Sequence, residues 1–430
     1  MAFGFALGLW VAVRGHFSGS SQFPSSAHVG VPLSQNLSSN WCSPKKPWGN
    51  LEFQNITMER PPEFVPELPA MALEPRWFFG NWAPSQIQAL LSSSDLTETQ
   101  RHALLDTQRW QSSTNGWSIA PGTNVAWSLS RKARQQIYTT LAQFPENNPQ
   151  CVPYRFPLAH EEEWLANSGL ASNTLCLTRS LIYRRGQSAC FSDVEILSVL
   201  PSEAERHRLI RTLSRFPAVF VNLRVDSNTV LEPIIQFWEQ TRPRQDTQPF
   251  LESLARLPGS PTINIAYFLP PFARTRMYTY PEGKLDNQNS GQDCFWTAMN
   301  FFNRRIDRRL SDPQKRMQIL NTDYTEIKGH PNIGDIILLL DKDQIPIHAC
   351  VYIAEDVVFT KNGGTRLSPW LFMKISDMLS YYMETQPLRV AIMRQKGRKA
   401  PPASLNSLNA IKRDVPTAAA AANQRAKLID

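Results

Sequence analysis

Between residues 333 and 362 the apolar positions fall in short blocks and not at helical spacing, which predicts a sheet. Ile333-Gly334-Asp335 reads as a turn feeding a buried strand that ends at Leu340, and residues 345–353 read as a second strand carrying His348. A hairpin at Ala354-Glu355-Asp356 leads into a third strand over 357–362, which Gly363-Gly364 ends. Upstream, residues 292–302 read as a helix capped by Asp293, with Cys294 in its first turn. Downstream, 370–382 is predicted as a helix and 388–394 as a closing strand.

The preceding chain is mixed. Residues 85–92 and 97–110 read as a helical pair, the second opened by a Thr97/Gln100 capping box and buried through Leu104 and Leu105. Further helices are expected over 130–144, 203–215, 229–240 and 250–256, with a polar loop over 241–248. Residues 174–183 and 218–225 read as strands, and 193–199 as a short helix or a strand. The proline-rich stretch 51–75 is expected to run extended over a surface, and the aromatic cluster 76–82 to anchor packing.

Length and composition turn this pattern into domains. With 430 residues, 42% of them hydrophobic, two or three domains with real cores are expected. The divisions are an apolar N-terminus and Gly/Ser/Pro-rich linker (1–50), a helical and mixed module (51–261), an α+β domain (262–394) and a basic, disordered tail (395–430). Residues 2–13 are apolar but too short to span a bilayer and suit a signal h-region, though a basic n-region is missing. That reading points to the cell envelope, the periplasm or secretion, with the cytoplasm as the alternative, and confines membrane contact to this segment. The net charge of +8 is spread thinly over 19% charged residues, without a nucleic-acid-reading motif, so nucleic acid is not an expected partner.

The six cysteines lack any Cys-x-x-Cys pair, which argues against zinc and against a disulfide scaffold. Cys176 with Cys190, or Cys42 with Cys151, could pair only in an oxidising compartment. His160-Glu161-Glu162-Glu163 lacks the second histidine of a zinc helix, and no metal or cofactor is expected. Cys294 is the thiol of interest, because orphan N–H groups at a helix start favour thiolate. Alone, a cysteine in an apolar helix is ordinary packing, as Cys350 is, and a lone His348 is equally a satisfied sheet residue. The order of capped cysteine, Gly-Asp turn, histidine strand and polar strand changes that balance. Thr360 and Asn362 share a strand face and Lys361 points the other way. Asn362 is favoured as orienter, since an amide oxygen accepting an imidazole N–H fixes the tautomer and leaves the other nitrogen for the thiol.

These blocks, over about residues 273–394, resemble the NlpC/P60 family of papain-like cysteine peptidases: Asp293-Cys294 opening a helix, Gly334-Asp335 before an apolar strand, and His348 followed by Val351-Tyr352-Ile353. The resemblance implies a papain-like α+β domain with the nucleophile helix packed on an antiparallel sheet. It implies that Cys294 attacks an amide, His348 moves the proton, and Asn362 or Thr360 orients the ring; Thr360, twelve residues on (360 − 348), fits the family's spacing best. Tyr278 and Tyr280 stand where the family has a tyrosine near the thiol. Tyr280 is thus expected to line the oxyanion hole or hold substrate, with Tyr278, Asp293 and Trp296 as further substrate contacts. The implied substrate is a peptide of bacterial cell-wall type. Bulky Phe295 and Trp296 replace the small residue that usually follows the nucleophile, which bears on the groove. Acyl transfer, or an interaction protein whose site has decayed, would share the same residues.

Overall fold

Strand β1 (Asn50–Met58) comes from the proline-rich stretch, where the sequence predicts only extended chain. The computed structural model describes residues 46–65, 74–282, 291–382 and 389–398; the apolar segment 2–13, Cys42 and nearly all of the basic tail lie outside them. Strands β2 (Trp77–Gly80), β3 (Trp110–Ser113) and β4 (Gly116–Ile119) form an antiparallel sheet in the order β2-β4-β3. Trp77 and Phe79 point into its core, so the aromatic cluster does anchor packing. The capping box at Thr97 is present, but its helix stops at Leu105 because Asp106 turns the chain, and Trp110 opens β3.

Strands β5 (Tyr154–Pro157), β6 (Tyr183–Arg185) and β7 (Ser188–Phe191) make a second small sheet. The strand expected over 174–183 is instead the helix Ser172–Leu181. Its threonines, which suggested a strand, lie one turn apart on the buried face, and the Thr178 hydroxyl donates to the Thr174 carbonyl at 2.7 Å. Cys176 is exposed on this helix and Cys190 is buried in β7; all five described cysteines are free thiols. The polar stretch expected as a loop over 241–248 belongs to the helix Arg244–Ala255. Its charged residues form a solvated face, Arg244 pairing with Glu232 at 2.6 Å, while Thr247 and Leu251 are buried.

Strand β8 (Phe216–Arg224) pairs with β1 along its whole length and with β9 (Thr262–Asn264). This sheet crosses the division expected at 261–262, and the chain as far as Lys396 forms one compact unit. The protein is α+β. Its largest sheet holds β10 (Tyr324–Ile327), β11 (Ile336–Leu340), β12 (Pro346–Ala354), β13 (Val357–Lys361), β14 (Trp370–Lys374) and β15 (Arg389–Gln395), in the order β10-β15-β11-β12-β13-β14, all antiparallel. The helix expected over 370–382 splits into β14 and a short helix, Ile375–Ser380. Trp370 to Met373 form an unbroken apolar run buried on both faces, a pattern that periodicity cannot assign to helix or strand.

Both faces of this sheet are covered. Ala349, Val351 and Phe359 face the Cys294–Met299 helix, while Cys350, Tyr352 and Val358 face the Ile375–Ser380 helix. Asp335, 1% exposed, ties β11 to β15 by accepting from Arg394 at 2.5 and 2.9 Å. The Ile375–Ser380 helix is fastened from the N-terminal half. Ser188 Oγ donates to the Ser380 carbonyl at 2.7 Å, Arg155 donates to the Tyr381 carbonyl at 2.9 Å, and His160 Nε2 lies 3.2 Å from Asp377. Among the described residues no helix is long and apolar enough to cross a membrane.

One buried ion pair tests the N-terminal packing. Arg134, 0% exposed, lies 3.1 Å from Asp193, whose other oxygen accepts from the Tyr138 hydroxyl at 2.6 Å. Asp193→Ala would leave that guanidinium uncompensated and should lower stability by roughly 3–5 kcal/mol in urea unfolding. Pairing Asp193→Leu with Arg134→Met should cost far less; equal losses would show that the charge pair is not what matters.

Candidate functional site

Cys294 is the first residue of the six-residue Cys294–Met299 helix. Asp293 caps it, accepting the Trp296 N–H at 2.8 Å, and both its oxygens take Arg316 Nη1, at 2.9 and 2.8 Å. That carboxylate is therefore spent on the cap and the ion pair, and the structure does not offer it to a substrate. Trp296, 2% exposed, packs on Phe272 with ring centroids 5.3 Å apart, and the Arg316 guanidinium lies over Phe295. The bulky pair after the cysteine fills core and does not line a groove.

The thiol is 6% exposed, and burial pushes its pKa up to about 12, with the Asp293 charge acting in the same direction. The Ala349 backbone N–H, Arg316 and Lys361 pull the other way. The helix start was expected to favour thiolate, but a helix terminus contributes at most about 1 kcal/mol at ordinary exposure. The rise from the usual 9 to about 12 corresponds to about 4 kcal/mol, so desolvation wins.

His348 is wholly buried in β12, and its Nε2 lies 3.1 Å from Thr360 Oγ1. Thr360 Oγ1 in turn donates to Asn362 Oδ1 at 3.2 Å. A hydroxyl has one proton, and here Asn362 receives it, so Nε2 must carry a hydrogen and donate to Thr360. Nδ1 is then a bare lone pair, buried and without a hydrogen-bond partner among the described residues. Burial pushes the imidazole pKa down to about 3. The orienting contact expected from Asn362 is made by Thr360, with Asn362 behind it. The Tyr382 ring stacks on His348, centroids 4.4 Å apart.

The thiol and the imidazole share no hydrogen bond. Alternation sends His348 and Thr360 to the face under the Ile375–Ser380 helix, whereas Cys294 packs with Ala349 and Val351 on the other. Two observations bring them near one another. The sulfur draws on the N–H of Ala349, the residue after His348, and its charge is felt by Cys350 and Tyr382 on the far face. Pairing of β12 with β13 ends at Val351 and Phe359, short of Ala349.

Neither expected tyrosine offers its hydroxyl to the thiol. Tyr278 donates to the Val219 carbonyl at 2.6 Å and Tyr280 to the Glu59 carbonyl at 3.1 Å, so both fasten the chain before the helix to the β1-β8 region. One residue was missed. Lys361 is 0% exposed and faces the Cys294 side, and burial lowers its pKa to about 7. The signal available was its parity with Phe359 on an otherwise apolar strand face. Among the described residues no group of three or more His, Cys, Asp and Glu could hold a metal, and His160 bonds to Glu163 and Asp377 instead. Comparison with protein-family models, with curated proteins and with solved structures finds no match.

The shifted groups fix how stability should vary with pH. His348 titrates at 6.5 ordinarily and about 3 when folded, so between these values only the unfolded chain binds its proton. Stability is therefore lost as pH falls from 6.5 to 3. Lys361 falls from 10.5 to about 7, so its contribution rises with pH between 7 and 10.5. In urea unfolding across pH, His348→Gln should flatten the acid limb and Lys361→Met the alkaline rise. Curves parallel to wild type would mean that these side chains are hydrated in the folded protein.

Proposed function

We propose that this protein is a thiol hydrolase of papain-like type, cleaving an amide bond through Cys294, His348 and the Thr360-Asn362 relay. The observation that carries the reading is the state of His348: Nε2 is anchored through Thr360 to Asn362, and Nδ1 is a buried lone pair with no partner among the described residues. An imidazole held in that tautomer is ready to take a proton from a thiol. The blocks resembling the NlpC/P60 family support the same assignment, and they suggest a cell-wall-type peptide with a bond involving a D-amino acid.

In the proposed cycle the Cys294 S–H proton passes to His348 Nδ1 while the sulfur bonds to the amide carbon. The carbon–nitrogen bond then breaks, and His348 returns the proton to the departing amine. Water, deprotonated by the same nitrogen, cleaves the thioester and restores the thiol. Backbone N–H groups are the oxyanion donors this reading calls for, since both tyrosine hydroxyls are engaged elsewhere. At rest thiol and imidazole are neutral and sealed, so substrate must bring them into contact.

That seal favours one other reading, a protein that keeps the architecture but not the reaction. Incubation with cell-wall stem peptides and with all-L peptides, followed by mass spectrometry, separates the two. Cleavage should appear with wild type and vanish with Cys294→Ala. Thr360→Val should cut turnover roughly tenfold to a thousandfold with affinity little changed, and Asn362→Ala by less, because it acts through Thr360. Cleavage surviving in Cys294→Ala would end the proposal, and wild type inert on every peptide would favour the second reading.

A further inference from the structure

The cycle above leaves Lys361 without a role, yet a buried lysine is costly to maintain. Its Nζ donates to the carbonyls of Gly363 at 2.9 Å and Thr365 at 2.7 Å. An ammonium has three protons, so one remains uncommitted among the described residues. Its place is fixed by the neighbouring strand. Lys361 stands opposite Trp370 in the β13-β14 ladder, and the Trp370 indole N–H donates to Thr297 Oγ1 at 3.0 Å, one turn along the helix from Cys294. The lysine therefore lies beneath the first turn of that helix, on the sheet face that receives the sulfur.

The charged and titratable groups acting here are few. Lys361 feels Cys294 and Asp293, and Cys294 feels Asp293, Arg316, Lys361, Cys350 and Tyr382. Arg316 is already bound to Asp293 through both carboxylate oxygens. Arg276 lies over the Trp296 and Trp370 rings, so of the two cations that act on the sulfur, Arg316 and Lys361, the lysine is the one left to answer a negative charge there.

We propose that Lys361 is a positioning residue for Cys294, its ammonium holding the sulfur as thiolate when the S–H proton leaves. This rests on Cys294 being the nucleophile. The lysine exchanges no atom with substrate: in the cycle the thiol proton goes to His348 Nδ1 and on to the departing amine, while without substrate a neutral lysine amine can take that proton and give it back to the sulfur. A neutral amine beside a thiol allows an internal transfer that makes an ammonium–thiolate pair without loss of a proton to solvent. The population of that pair is independent of pH once the amine has titrated.

The test is alkylation of the full chain by iodoacetamide between pH 6 and 10, read at Cys294 by peptide mass spectrometry, with buried Cys350 as the monitor of unfolding. Wild type, Lys361→Met and Lys361→Arg are compared. The wild-type Cys294 rate should level off above about pH 7, whereas in Lys361→Met it should climb about tenfold per pH unit. Wild type should be at least about tenfold faster near pH 7, the gap closing toward pH 10, and Lys361→Arg should stay within about threefold of wild type at pH 7. A Lys361→Met profile matching wild type, with Cys350 protected, overturns the role of the lysine and leaves the nucleophile assignment standing. Wild-type Cys294 reacting no faster than Cys350 overturns the nucleophile assignment, and this proposal with it. If Lys361→Met exposes Cys350, Lys361→Arg decides with Cys350 protected: a wild-type rate supports the role of charge, and a tenfold loss overturns it.

Discussion

Alternation of side chains along β12 and β13 is the constraint on which the centre of this protein depends. Because successive residues of a strand face opposite ways, His348 and Thr360 share one side of the six-stranded sheet while Lys361, next to Thr360, lies on the other with Cys294. The sheet is buried on both sides, so each of these polar groups is out of water. Had either face been open to solvent, as antiparallel sheets commonly are, one set would be hydrated and of little chemical interest.

Desolvation then sets the resting charges. It moves the thiol and the imidazole apart in pKa, up to about 12 and down to about 3, so that both are neutral, and it brings the lysine down to about 7. Hydrogen bonds decide the rest. The Thr360-Asn362 relay consumes one imidazole nitrogen, two carbonyls hold the ammonium, and the Ala349 N–H serves the sulfur. One polar atom in this set is left without a partner, His348 Nδ1, and the proposed chemistry would occur there.

Much of this was legible in the sequence where signals were local. The Asp293 cap, the turn before β11, the histidine strand and the hairpin at Glu355, which takes a φ of 52°, follow from short-range residue chemistry. Long-range competition was not legible. Nothing near Tyr280 announces that its hydroxyl goes to Glu59, and nothing near Asp293 announces Arg316, 23 residues on. Trp370 to Met373 gave no period to read, and Thr174 with Thr178 imitated a strand because a β-branched pair also suits a buried helix face. The alternation that placed Lys361 away from His348 was readable. Its corollary, that a residue facing away from the imidazole must face the helix that carries Cys294, required knowing which side that helix covers.

Tyr382 reaches His348 from a segment held by the other half of the chain. Arg155 grips the carbonyl of Tyr381 across 226 positions and Ser188 that of Ser380 across 192. The dryness of the imidazole is therefore not a local property of its own sheet. It depends also on the β5-β7 region, which precedes the sheet in the chain and holds the segment that carries Tyr382. Arg155 and Ser188, which precede the histidine in the chain, thus help to set its surroundings through the segment they hold.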